Sequence, residues 1–265
     1  MKVIFVTGYW KSGTTLLQFL LAKDKNIQNV FPREGINYDG TEFWRKYIPQ
    51  HTSNNGHYIP KRVVENIDTD TIRGWINKFH DGSDCILLKR PQFVMNDELI
   101  YKLWPNASII STKRDLLPNI YSMLRMRELN RYPDDLIVGQ YIPGWRKMKG
   151  KSPIELLVHQ YCYINNYIDK HNIFNINYNE LCNNTEKVLK DISKEIGYDI
   201  NLEIPDITSC DIDYIEGTSL KSRNDDTATG KIEIKRNDKE FPPLTKEEID
   251  LIHHYYDKYK GVNVI

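Results

Sequence analysis

The sequence predicts an α/β protein organised as a three-layer, doubly wound parallel sheet. Three observations carry that expectation. Short apolar runs alternate along the chain with helical patterns, which requires crossover connections between parallel strands. The first run, Val3–Thr7, passes through a glycine-bounded loop straight into a leucine-rich helical stretch. A chain of 265 residues is long enough for one sizeable α/β domain, and nothing in it demands two, so residues 1–265 are expected to form a single domain.

In chain order, strands are expected at Val3–Thr7, Cys85–Leu88, Ala107–Ser111 and Ile173–Ile176. Helices are expected at Thr14–Ala22, at Thr71–Phe79 after Asp70, at Asn96–Leu103 and at Pro118–Glu128. The run Ser152-Pro153-Ile154-Glu155 has a serine N-cap, proline at the first helical position and glutamate at the third, so it predicts a capping box on a helix reaching about Lys170. Two further helices follow. One spans Glu186–Ile196 and stops at Gly197; the other starts at Thr245, with Glu248 closing a second box, and reaches about Tyr259.

Residues 32–60, 130–150 and 204–240 lack clear periodicity. Loops of this length in a compact domain usually serve a site, and ligands of parallel sheets bind beyond the C-terminal strand ends, so these segments are the expected pocket walls and lid. Tyr38, Phe43, Trp44, Tyr47, Tyr132, Tyr141 and Trp145 fall within the first two; packing beneath the loops is the expectation for most, stacking on an acceptor ring the other reading.

Composition narrows the partners. Lysine plus arginine, 36, equals aspartate plus glutamate, 36, so no global basic field exists for nucleic acid and any anion must be held locally. Cys85, Cys162, Cys182 and Cys210 are scattered without Cys-x-x-Cys spacing, which argues against a zinc site and for reduced thiols in a cytoplasmic setting. No stretch approaches the roughly 20 apolar residues of a membrane span, and the N-terminal apolar run is too short for a signal-peptide core. No membrane association and no metal are expected.

The most specific feature is Gly8-Tyr9-Trp10-Lys11-Ser12-Gly13-Thr14-Thr15. Unpaired N–H groups of a first helical turn, together with the helix dipole, make such a strand-to-helix loop an anion site. The Walker pattern places its lysine just after the second glycine. Here Thr14 holds that place and the lysine lies two residues earlier, as Lys11. The plainer alternative is a tight turn in which Gly8 and Gly13 only supply permissive φ angles.

Lys11-Ser12-Gly13-Thr14-Thr15 after a strand resembles the 5'-phosphosulfate loop of sulfotransferases that use 3'-phosphoadenosine 5'-phosphosulfate (PAPS), with Trp10 where many of them carry proline. The resemblance implies a P-loop nucleoside-triphosphate-hydrolase-like fold and transfer of a sulfuryl group from PAPS to a hydroxyl of a small-molecule or carbohydrate acceptor. It implies that Lys11, Ser12, Gly13, Thr14 and Thr15 hold the phosphosulfate, with Lys11 at the bridging oxygen where charge develops. Ala107–Asp115 resembles the family's 3'-phosphate strand: Arg114 at its end and Ser122 eight residues on match the spacing, and Leu103–Ala107 resembles its Phe-Pro-Asp-Ala lead-in. A guanidinium supplies the two-pronged donor that phosphate favours.

Cytosolic relatives take the acceptor proton with a histidine two residues after a strand lysine. Pro91 stands there in Lys89-Arg90-Pro91, which is closer to the Lys-Thr-Pro of glycan and bacterial sulfotransferases. Those enzymes carry a glutamate base shortly after the first helix, and Phe31-Pro32-Arg33-Glu34 fits that pattern, so the resemblance implies Glu34 as general base. His57 and His51 are the alternatives. Lys89, a charged residue ending a buried strand, should face the site and meet a sulfonate oxygen. Ser219–Arg223 with Gly230-Lys231 resembles the basic loop closing over the 3'-phosphate and implies Arg223 there; Asn177–Leu181 resembles the Tyr-Glu-x-Leu segment, mainly structural. The resemblance covers residues 3–38, 85–124 and 173–197. Two rival readings are a P-loop kinase, which would need a Walker lysine and a strand ending in aspartate, and a nucleotide-binding module with a decayed site.

Overall fold

The computed structural model describes residues 1–31, 39–48, 57–128, 142–148, 150–201 and 243–265. Five strands form one all-parallel sheet: β1 (Lys2–Gly8), β2 (Ile27–Asn29), β3 (Cys85–Lys89), β4 (Ser108–Lys113) and β5 (Phe174–Asn177), in the order β2-β3-β1-β4-β5. The order reverses at β1. Consecutive strand residues point to opposite faces, and β1 shows the outcome: Ile4 and Val6 enter one apolar core, Val3 and Phe5 the other, all nearly inaccessible to water.

The core around Ile4 and Val6 is closed by α1 (Thr14–Leu21), α8 (Tyr178–Asn183) and α9 (Thr185–Ile196). The opposite core is larger. It is lined from α2 (Thr41–Tyr47), α3 (Lys61–Val64), α4 (Thr69–Asn77), α5 (Asp97–Leu103), α6 (Leu116–Glu128), α7 (Pro153–Lys170) and α10 (Lys246–Tyr259), and from a 3-10 turn at Pro91–Met95. The expected three-layer parallel architecture is therefore the observed one.

Several boundaries differ from the expectation for identifiable reasons. β2 has only three residues, too few to show alternation. α2 lies in the stretch expected to be irregular; it buries Phe43 and Trp44 in an aromatic cluster with Phe31, Trp75 and Phe93, so the packing reading holds for both. α4 is capped by Asp68, whose carboxylate accepts from the Thr71 amide, and so begins two residues before Thr71. Proline in a first helical turn lacks only an N–H that would be orphaned anyway, and α6 accordingly starts at Leu116, ahead of Pro118.

The two predicted capping boxes part company. Thr245 and Glu248 form a complete reciprocal box on α10. On α7 Ser152 accepts from the Glu155 amide, but the buried Glu155 carboxylate instead takes Lys258 Nζ at 2.8 Å and Tyr259 Oη at 2.7 Å, tying α10 to α7. Cys85 and Cys162 are free thiols, and burial pushes them up to about 11 and about 12. Cys210 lies outside the described residues. No helix among those described is long and apolar enough to cross a membrane.

Candidate functional site

β1 ends in the sheet centre, where the strand order reverses, and its last residue opens the loop to α1. The loop is bent by three positive φ angles: Gly8 at 147°, Lys11 at 62° and Gly13 at 102°. Glycine is required at two of these. A Cβ on Gly8 would lie 2.7 Å from the Thr112 carbonyl oxygen, and one on Gly13 would lie 2.4 Å from Tyr178 Cδ2. Lys11 has no such exemption, and a left-handed L-residue costs roughly 1–2 kcal/mol. The surrounding bonds hold it there.

Those bonds come mainly from the β4 side. The fully buried Ser12 hydroxyl donates to the Tyr9 carbonyl and lies 2.8 Å from Thr112 Oγ1, whose proton is then directed at Ser12. Asn119, buried in α6, donates from Nδ2 to the Trp10 carbonyl at 3.0 Å. Tyr9 Oη, whose pKa burial drives upward, reaches the Leu157 carbonyl and Gln160 of α7, each at 3.3 Å. On the same flank the Arg114 guanidinium lies 4.8 Å from the Tyr178 ring centroid, and Tyr161 Oη donates to the Arg114 carbonyl at 3.0 Å. Tyr178 therefore fills the space between Gly13 and Arg114. Asp115 accepts from Asn177 and Asn179, so the turns after β4 and β5 are joined.

The β3 side is built from charge. Lys89, in register with Val6, is buried and sends Nζ to Thr15 Oγ1 at 2.7 Å and to Asp39 Oδ1 at 2.5 Å. Arg90, equally buried, donates from Nη1 to Thr41 Oγ1 at 2.5 Å. Burial pulls its pKa down to about 10, while the charges of Asp39 and Glu42 act in the opposite direction. Thr7 Oγ1 lies 3.1 Å from both the Arg90 and Pro91 carbonyls, which anchors this turn to the end of β1. Lys89 thus sits beside the first turn of α1, and that turn carries no acidic residue.

The profile of the sulfotransferase family matches residues 3–201. The chain belongs to the sulfotransferase family. No curated protein matches it. Among solved structures, a sulfotransferase from Alicyclobacillus acidocaldarius is 14% identical, with 96% of this chain and 95% of that one covered at a TM-score of 0.48. The sulfotransferase domain of the curacin biosynthetic pathway is 14% identical, 96% of each chain being covered at 0.47. That of the Synechococcus PCC 7002 olefin synthase is 15% identical over 96% and 94% at 0.45. The family assignment rests on the profile match.

In this sulfotransferase the residues singled out from sequence fall into three groups. Lys11, Ser12, Gly13, Thr14 and Thr15 form the loop and first turn of α1, and Lys89 joins them through Thr15. Arg114 follows the last residue of β4 on the opposite flank, and Ser122 lies half-buried farther along α6. Glu34, His51 and Arg223 lie outside the described residues. His57 is buried, with its backbone carbonyl accepting from Asn96 Nδ2 at 2.8 Å.

Sequence reasoning missed Asp39, Thr112 and Asn119, and it gave Tyr178 only a structural part. Thr112 and Asn119 could have been sought as the polar residues nearest the end of β4 and the start of α6. Asp39 has no local signal, since its partner Lys89 is 50 residues away.

Proposed function

We propose that this sulfotransferase moves a sulfuryl group from PAPS to a hydroxyl of a small-molecule or carbohydrate acceptor. The observation that carries the proposal is the convergence of the bent Lys11 loop with Lys89 at the N-terminus of α1. Exposed N–H groups, hydroxyls and two lysines suit a sulfonated phosphate. The space beside Gly8 and Gly13 is taken by Thr112, Ser12 and Tyr178, so this form of the loop requires glycine at both positions.

In this reading residues 11–15 hold the 5'-phosphosulfate, and Arg114 with Ser122 and Arg223 holds the 3'-phosphate. The acceptor oxygen attacks sulfur in line, the bond from sulfur to the bridging phosphate oxygen breaks, and the acceptor proton passes to Glu34. Lys11 meets the charge growing on the departing phosphate, where a preorganised cation is most effective. Lys89 steadies a sulfonate oxygen. The free thiols Cys85 and Cys162 agree with a cytoplasmic setting.

The test is release of 3'-phosphoadenosine 5'-phosphate (PAP) from PAPS across a panel of hydroxyl acceptors. Acceptor-dependent release without added metal is expected. Binding of PAPS without turnover on any acceptor would reduce the chain to a binding module, and preference for ATP with magnesium would make it a kinase.

A further inference from the structure

We propose that Asn119 is a positioning residue that holds the Trp10–Lys11 peptide in the one orientation that lets the loop receive an anion. Asn119 lies in the first turns of α6, is 1% exposed, and spends its Nδ2 on the Trp10 carbonyl at 3.0 Å. The direction of the amide is not arbitrary. A carbonyl oxygen can only accept, so Nδ2 must face Trp10. Oδ1 is then left buried with no partner among the described residues. A buried unpartnered carbonyl oxygen is unfavourable, so the donor on the other arm is the part of this side chain that earns its place.

The consequence runs through the backbone. A trans peptide points its C=O and N–H in opposite directions. With the Trp10 carbonyl drawn toward α6, the Lys11 amide is turned away from α6. The same orientation imposes the left-handed φ of 62° on Lys11. Rotating this single peptide by half a turn would move Lys11 to a negative φ, the region an L-residue prefers. It would also present a carbonyl dipole where the amide now points. Intrinsic backbone preference therefore favours the flipped loop, and the bond from Asn119 opposes it. Ser12 cannot do this alone, because its bonds to Tyr9 and Thr112 secure the peptides on either side and not the one between Trp10 and Lys11.

The inference rests on the proposed function only for the identity of the anion, the 5'-phosphate end of a 3',5'-bisphosphorylated adenosine. Full-length wild type, Asn119→Leu and Asn119→Ala are compared by calorimetry with two probes: PAP, which carries both phosphates, and adenosine 3'-phosphate, which lacks the 5' group. Loss of one charge-assisted contact corresponds to roughly tenfold to hundredfold. Weakening of PAP by that factor, with adenosine 3'-phosphate unchanged, is expected in both variants. Equal weakening of both probes would mean a general loss of structure and overturn the proposal, as would no change in either. Crystal structures of the variants supply a ligand-free readout: Lys11 at negative φ supports the role, and Lys11 still left-handed overturns it. A wild type that binds neither probe would count against the proposed function, and the Lys11 conformation in the variants would still decide the role of Asn119.

Discussion

The two flanks of β1 hold the same loop by different physics. Toward β4 and β5, Asp115 with Asn177 and Asn179 apart, the bonds are neutral and largely aimed at backbone: Ser12 with Tyr9 and Thr112, Asn119 with the Trp10 carbonyl, Tyr161 with the Arg114 carbonyl. Toward β3, the Thr7 hydroxyl on the Arg90 and Pro91 carbonyls apart, they are charged and made between side chains: Lys89 with Asp39, Arg90 near Asp39 and bonded to Thr41. Neutral bonds to backbone set a conformation and have no quarrel with an incoming anion. A carboxylate on a lysine does, because it occupies the cation the anion would use. One flank is a mould; the other is a charge balance that ligand binding must alter.

The largest effect is expected from Glu34, five residues before Asp39 in the sequence. Glu34→Gln should preserve PAP affinity and lower turnover by roughly a hundredfold to ten-thousandfold, the range of general base catalysis. The acidic limb of the pH–rate profile, where a carboxylate base becomes protonated and idle, should vanish with it. Full activity in Glu34→Gln together with a dead His57→Ala or His51→Ala would move the base to a histidine. Lys11→Ala comes next, with turnover falling about a hundredfold to a thousandfold. Steady-state rates beside PAP affinity make the check. If affinity collapses and turnover survives, Lys11 serves the ground state and the assignment to the leaving phosphate fails.

On the moulded flank the expected effect is smaller and falls on binding. Arg114 is fixed from both ends, by Tyr161 at its carbonyl and Tyr178 beneath its guanidinium, so its removal should disturb little else. A hydrogen bond to a charged group contributes about 1.5–3 kcal/mol. Arg114→Ala should therefore weaken PAP by roughly tenfold to hundredfold. It should also abolish discrimination against adenosine 5'-phosphosulfate, which lacks the 3'-phosphate. Equal losses for both nucleotides would show that Arg114 reads something else.

The same division explains what could be read from the sequence. The loop was legible because strand, glycines, lysine and helix are contiguous, and the sheet was legible because its central strands are continuous apolar runs. Thr245 and Glu248 formed their box because nothing else among the described residues claims either side chain, whereas Glu155 was drawn off by Lys258 and Tyr259, about a hundred residues away. α2 escaped notice since seven residues show little periodicity, and its signal was the aromatic pair Phe43 and Trp44, which acquires meaning only against Phe31 and Trp75. Asp39 and Asn119 are ordinary polar residues locally. Their roles arise from Lys89 and from the Trp10 carbonyl, which the fold alone brings to them.

Asp39→Asn gives the smallest and most diagnostic change. The substitution keeps an oxygen that can accept from Lys89 Nζ, so the cost is the lost charge and not an orphaned donor. Lys89 is 4% exposed at its side chain and Asp39 28%, which places the pair between an exposed ion pair and a buried one. A cost of about 1 kcal/mol, or a fall of roughly 2–4 °C in Tm, is expected without ligand. With saturating PAPS the order should reverse in sense: Lys89 no longer divides its charge between a carboxylate and a sulfonate, so the rise in Tm on ligand binding should be larger in the variant than in wild type. A thermal melt of each protein with and without PAPS measures both quantities at once. Should the variant lose stability and also gain less from PAPS, Asp39 would be holding Lys89 in place for the ligand and not competing with it, and the charged flank would be a mould like the other.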